Sequence, residues 1–238
     1  FFFFGKTFKQ IDKGRNDKKA LVSGKLFQQL KTTHERYADV FRNLGYTLAL
    51  SNPTFPKQLK LKDSTQTLLV KDNKHWIGIA PFAQYQSKMY PLDLLERVIQ
   101  ELSKTHKVIL FGGGPEEIKT LNSFQNKYDN VINLAGKLTL TEELQVISNL
   151  DVMLSMDSGN AHIAAMLGKK VITIWNVTHP FAGFLPFNQP QSHNILANRE
   201  QFPLIPTSIY GNKYPEHYKE ASRTIAPETV IKKIESVL

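Results

Sequence analysis

From Trp76 onward, short apolar runs alternate with longer segments that are apolar at helical spacing, and this alternation constrains the fold more than any other feature of the sequence. The strand-like runs are Trp76–Ala80, Val108–Phe111, Val131–Leu134, Val152–Ser155 and Val171–Trp175. Between them lie Leu92–Leu102, Glu116–Phe124, Thr141–Leu150 and Ser158–Leu167, each with helical periodicity. Strands joined by helices at this spacing predict an α/β fold, a parallel sheet covered by helices on both faces. Such sheets bind ligands beyond the carboxyl ends of their strands. Function is therefore sought in the segments that follow strands: Pro81–Lys88, Gly112–Glu117, Ala135–Lys137, Asp157–His162 and Asn176–Pro180.

The chain ahead of Trp76 reads differently. A short strand is expected around Thr7–Ile11, then a basic loop Asp12–Lys19, then a helix near Thr33–Leu44 with Tyr37, Val40 and Phe41 on one face. Ser51–Asp72 carries Pro53, Pro56 and scattered lysines, which predicts a linker with one strand, Thr67–Val70, and a domain boundary near Asn73. The sequence opens on Phe1 without an initiator Met or a signal-peptide pattern, so residues preceding Phe1 are expected to belong to the protein.

The balance of 30 Lys and Arg against 21 Asp and Glu favours anionic partners: a phosphorylated glycan, an acidic membrane surface or nucleic acid. Nucleic acid rests on net charge alone, because the basic loop lacks the interleaved aromatics of a single-strand platform. Zero cysteines exclude disulfides, cysteine nucleophiles and thiolate metal sites. No apolar run approaches the roughly 20 residues that span a bilayer as a helix, which leaves peripheral membrane contact at most. The histidines show neither HExxH nor other close ligand spacing, and there is no DxD pair, so metal-independent chemistry is expected.

Met156-Asp157-Ser158-Gly159-Asn160-Ala161-His162 is the most informative stretch. Asp157 or Ser158 can cap the following helix, Gly159 admits a ligand close to the backbone, and free first-turn amides make an anion site suited to a diphosphate. His162 lies about one turn beyond Ser158 and can face the same anion. The competing reading is an ordinary capped helix with His162 half in the core. Ser158 is not in a GxSxG setting, and no triad can be assembled by spacing.

Gly112-Gly113-Gly114-Pro115-Glu116-Glu117 can bring backbone and a carboxylate to a ribose diol, or can be simply a tight strand-to-helix turn; it is neither GxGxxG nor a P-loop. Lys88 stands where a cation can neutralise a phosphate, although a solvated surface lysine fits the position too. The loop around Lys13 and Arg15 is either a phosphate-binding patch or a solvated charge run.

In order along the chain, Ile77-Gly78-Ile79-Ala80-Pro81, Lys88-Met89-Tyr90-Pro91, Gly112–Glu116, Asn133-Leu134-Ala135-Gly136-Lys137, Asp157–His162 and Thr178-His179-Pro180 together resemble glycosyltransferase family 9, the ADP-heptose:lipopolysaccharide heptosyltransferase family. Ile11-Asp12-Lys13-Gly14-Arg15 and Glu35-Arg36-Tyr37-Ala38-Asp39 look like the end of that family's first domain. The resemblance implies a GT-B architecture of two Rossmann-like domains facing a cleft, the first N-terminally incomplete in this chain. Residues 1–72 would be the remainder of the acceptor-binding domain with a linker, 73–225 the donor-binding domain, and 226–238 a C-terminal helix.

It further implies an inverting transfer of heptose from ADP-heptose to the lipopolysaccharide core, without metal or cofactor, at the cytoplasmic face of the inner membrane. Lys88 and the amides of Ser158, Gly159 and Asn160 would hold the diphosphate, Glu116 the ribose, and Asp157 and His162 the donor sugar and phosphates. Lys13 and Arg15 would contact the anionic acceptor. The family's general base, an aspartate after the very first strand, has no match here and is expected before Phe1. Three departures are visible: Phe82-Ala83-Gln84 lacks the usual hydroxyl residues, Asn176-Val177 replaces a Gly-Pro, and the cysteines often found near the family's C-terminus are absent. A non-catalytic nucleotide-binding or scaffold protein that keeps the fold is the alternative.

Overall fold

The computed structural model describes residues 8–70 and 72–238. Among these, the strands are β1 (Trp76–Ala80), β2 (Lys107–Leu110), β3 (Val131–Asn133), β4 (Val152–Met156), β5 (Lys170–Trp175) and β6 (Asn194–Leu196). The helices are α1 (Arg15–Val22), α2 (Thr33–Arg42), α3 (Asp63–Leu68), α4 (Leu92–Leu102), α5 (Pro115–Gln125), α6 (Leu140–Asn149), α7 (Gly159–Met166) and α8 (Pro227–Glu235).

The strands form one parallel sheet in the order β3-β2-β1-β4-β5-β6. Its central strands are buried along their whole length, which is why they read as near-continuous apolar runs. Ile77 and Ile79 face the layer built by α4, α5 and α8, where Leu95, Val98, Ile99, Leu121, Val230 and Ile234 pack. Trp76 and Ala80 face the opposite layer, with Val146 and Ile147 of α6 and Ala161, Ala164 and Ala165 of α7. Small residues on α7 let it lie close against the strands. α6 starts on a capping box in which Thr139 and Glu142 satisfy each other's backbone N–H groups. None of these helices is long and apolar enough to cross a membrane.

Four expectations for the chain ahead of Trp76 change. Residues 8–11 join no sheet, and Thr7 lies outside the described residues. The basic loop becomes helical from Arg15, because an Asp12 carboxylate accepts the Gly14 N–H at 2.8 Å and turns the chain into α1. Of the expected strand Thr67–Val70, Thr67 and Leu68 are the end of α3 and Leu69 and Val70 follow it without joining the sheet. That helix winds from the Lys62 carbonyl, which accepts from both Thr65 and Gln66, and both neighbours of β1 are already taken by β2 and β4. The expected linker is an extended strap along α6: Leu59 N–H donates to Ser148 Oγ at 2.9 Å, and Asn149 Nδ2 donates to the Leu59 carbonyl at 2.8 Å. Of the two sheets implied by a pair of Rossmann-like domains, the described residues contain the one.

The N-terminal segment is nonetheless fixed to the sheet domain. Leu30 N–H donates to the Phe181 carbonyl at 2.9 Å and Thr33 N–H to the Gly183 carbonyl at 2.8 Å, over an apolar patch of Leu21, Leu30 and Ala182. Gly183 has φ +86°, and a Cβ there would stand 2.7 Å from the Lys31 carbonyl oxygen. Gly183→Ala should therefore cost at least about 1–2 kcal/mol through the left-handed backbone alone. It should also loosen this docking, seen as a lower Tm and faster tryptic cleavage after Lys25 and Lys31.

Candidate functional site

β1 and β4 lie side by side, but their connections leave in opposite directions, β1 through α4 to β2 and β4 through α7 to β5. A crevice opens at such a switch point, beyond the strands' carboxyl ends. Two side chains meet across it. Lys88, at the end of a 3-10 turn (Gln86–Lys88), brings Nζ to 2.9 Å from Asp157 Oδ2, and Thr178 Oγ1 donates to the same oxygen at 3.0 Å. The lysine and aspartate side chains are only 14% and 9% exposed. Lys88 is thus a fixed cation rather than a solvated one.

The stem of Lys88 lies across Gly211, where φ is +77° and a Cβ would stand 2.7 Å from Lys88 Cγ. Ser87 Oγ donates to the Gly211 carbonyl at 2.5 Å and holds the two segments together. Asn176, one of the departures noted above, is structural. Its Nδ2 donates to the Lys219 carbonyl at 2.9 Å and its Oδ1 accepts the Ser222 N–H at 2.9 Å.

α7 begins directly beyond Asp157. The N-cap is Ser158, not Asp157, and its side chain caps nothing; Ser158 Oγ lies 3.1 Å from Ser155 Oγ instead. The first-turn amides are left to water or a ligand. A methyl group added at Gly159 would project into open space.

Two cavities meet at this helix start and share Gln84, Ser158 and Gly159. The larger, about 390 Å³, runs between Phe82, Phe111, Gly113, Glu117, Glu143 and Ile163, with Asn160 also on its wall. The smaller, about 260 Å³, holds Lys88, Asp157 and His162 under Phe184, Ile209 and Tyr210. Burial holds the His162 imidazole below its ordinary pKa against the pull of Asp157, and the ring of His34 from α2 stands 6.4 Å away.

Glu116 is exposed and lines neither cavity. Its neighbour Glu117 turns inward and accepts the Gly113 N–H at 2.8 Å. Lys13 and Arg15 sit apart from this cleft, around a polar hollow of about 490 Å³. Below them Arg36, 5% exposed, bridges Asp12 at 3.0 Å and Asp17 at 3.5 Å. The described residues contain no cluster of three or more His, Cys, Asp or Glu that could hold a metal ion.

Residues 16–217 match the profile of glycosyltransferase family 9 (heptosyltransferase). The chain belongs to this family. Lipopolysaccharide heptosyltransferase 2 of Salmonella typhimurium is 25% identical over 222 residues, covering 86% of this chain and 61% of that enzyme. In fold, the chain resembles a family 9 glycosyltransferase from Veillonella parvula, with a TM-score of 0.65, 18% identity and coverage of 89% of this chain and 61% of that one. It also resembles an E. coli heptosyltransferase solved with ADP, with a TM-score of 0.60, 20% identity and coverage of 86% and 56%. The chain spans between about a third and three fifths of the length of the curated relatives it matches.

Thr178, Gly211, Tyr210 and Glu143 join the cleft without having been singled out as site residues, although Thr178 lies in a stretch that the family resemblance marks. Next to Thr178, His179 is 3% exposed, and its Nδ1 accepts the Phe181 N–H at 3.1 Å. Burial, helped by Arg199, pushes its pKa from 6.5 down to about 4. Below pH 6.5 the unfolded chain gains a proton that the folded chain refuses, so this site's contribution to stability falls as the pH drops toward about 4. His179→Asn keeps an acceptor for Phe181 but cannot take up the proton, and a plot of Tm against pH should be flatter for it than for the wild type across that window.

Proposed function

We propose that the chain carries the sugar-nucleotide site of an inverting, metal-independent glycosyltransferase that moves heptose or a related sugar from a nucleoside-diphosphate donor, ADP-heptose first among them, to a lipopolysaccharide core acceptor. The observation that carries this reading is the cation of Lys88, paired with an Asp157 carboxylate that also accepts from Thr178, at the open start of α7 between two cavities. A nucleotide sugar has that layout: a nucleoside on one side of a diphosphate and a sugar on the other. The nucleoside fits the larger cavity, the diphosphate the start of α7, and the sugar the pocket under Tyr210.

As the sugar–phosphate bond breaks, negative charge grows on the departing diphosphate. The ammonium of Lys88 and the amides around Ser158, Gly159 and Asn160 meet that charge without reorganising. Asp157 keeps the ammonium aimed, and His162 donates a hydrogen bond to the donor from the sugar side. Glu117, rather than Glu116, takes the ribose role. No described residue is assigned as the base that accepts the acceptor's proton.

On the same reading, residues up to 72 belong to the acceptor side of a GT-B enzyme, with Lys13 and Arg15 toward the anionic core. Residues 73–225 form the donor domain, 226–238 the C-terminal helix, and the enzyme works at the cytoplasmic face of the inner membrane. The ADP in the E. coli relative supports the choice of nucleotide.

Calorimetry should detect ADP binding by the wild-type chain. Lys88→Ala and Asp157→Ala should each weaken it by about tenfold or more, the size expected for losing a charged hydrogen bond. Gly211→Ala, which displaces the lysine stem, should weaken it less. Undetectable binding of ADP, UDP and GDP alike would sink the reading.

A further inference from the structure

The larger cavity contains a carboxyl that the protein itself leaves unused. Two glutamates, Glu117 and Glu143, line it, and Glu142 adjoins the second in sequence. Glu142 closes the capping box on Thr139 and pairs with Lys62 at 2.9 Å, which holds its pKa at about 2. Glu117 accepts the Gly113 N–H. Glu143, in the first turn of α6, lines the cavity beside Phe82, Phe111 and Ile163, and its side chain has no hydrogen bond or ion pair among the described residues. Burial alone pushes its carboxyl above the usual range, with no neighbouring cation to offset the cost.

A half-buried carboxylate accepts hydrogen bonds and cannot donate them, so only an N–H or O–H offered from within the cavity relieves it. Its apolar neighbours suit the faces of a flat ring better than a polyhydroxylated sugar, and the ribose has Glu117 and the glycine turn. We propose that Glu143 is the specificity-determining residue for the nucleobase, its carboxylate accepting a hydrogen bond from an exocyclic amino group. The inference rests on the nucleotide-sugar reading above and narrows the donor to amino-bearing bases.

ADP and inosine diphosphate make the test, since they differ along one base edge, a C6 amino group beside a bare N1 in one and a C6 oxo group beside an N1–H in the other, so that a carboxylate placed on the amino group would meet the lone pairs of the oxo oxygen. By calorimetry, the wild type should prefer ADP by about tenfold or more. Glu143→Gln, whose amide can donate to the oxo group as well as accept from the amino group, should narrow that preference to within about threefold, because one ligand loses what the other gains. Glu143→Ala should bring ADP down toward the inosine diphosphate value and leave the latter unchanged. Thermal melts of both variants establish that they fold.

Equal wild-type affinity for the two nucleotides overturns the proposal. So does an equal loss for both in Glu143→Gln, which would mark a ribose contact or a merely structural role. If the wild type binds none of ADP, UDP, GDP or inosine diphosphate, the nucleotide-sugar reading itself fails, an outcome distinct from nucleotides that bind without discrimination.

Discussion

A lysine and an aspartate face each other, nearly out of water, at the point where the strand order turns back on itself. Bringing two charges this far from solvent is unfavourable unless their geometry and remaining hydrogen bonds compensate, so such a pair adds little net stability while its loss from one side alone is costly. The pair is therefore better understood as a positioning device. Thr178 shares the aspartate oxygen, Ser87 anchors the turn that presents the lysine, and Gly211 leaves a groove for its stem. Segments following β1, β4, β5 and β6 thus all meet around this one ion pair.

That arrangement ties distant parts of the chain together. The loop after β5 contributes Thr178, and a few residues later its Phe181 and Gly183 carbonyls receive the chain entering α2. Lys18 of α1 lies 4.4 Å from the ring of Phe184, which roofs the smaller cavity. The segment ahead of Trp76 therefore helps to build the wall of the cleft, although it adds no strand among the described residues.

The sheet domain was largely legible because its strands, buried on both faces, read as unbroken apolar runs, while helices such as α4 are amphipathic and show a helical period. Leu92–Leu102 illustrates this, its ends falling where the sequence put them. β6 escaped notice because three residues, Asn194–Leu196, pair only with β5 and carry no period. Thr67–Val70 misled because a β-branched residue followed by apolar ones imitates a strand, while backbone bonding from Lys62 decided otherwise. At the site, Asp157 and Lys88 were accessible as residues that follow strands. Their contact was not, because it depends on β1 and β4 being neighbours. Glu116 and Glu117 differ by a rotation of about 100° around α5, a choice that packing makes and sequence does not. Tyr210 and Gly211 come from irregular chain, where no periodicity points inward.

The open start of α7 has an evolutionary corollary. Its anion-seeking groups are main-chain amides, and Gly159 has room above it, so few point substitutions can erase them. Glu143 and Tyr210, by contrast, face the two cavities with side chains alone. On the proposed nucleotide-sugar reading, a lineage built on this scaffold could exchange what it recognises at either end while the main-chain contact with the diphosphate is inherited unchanged.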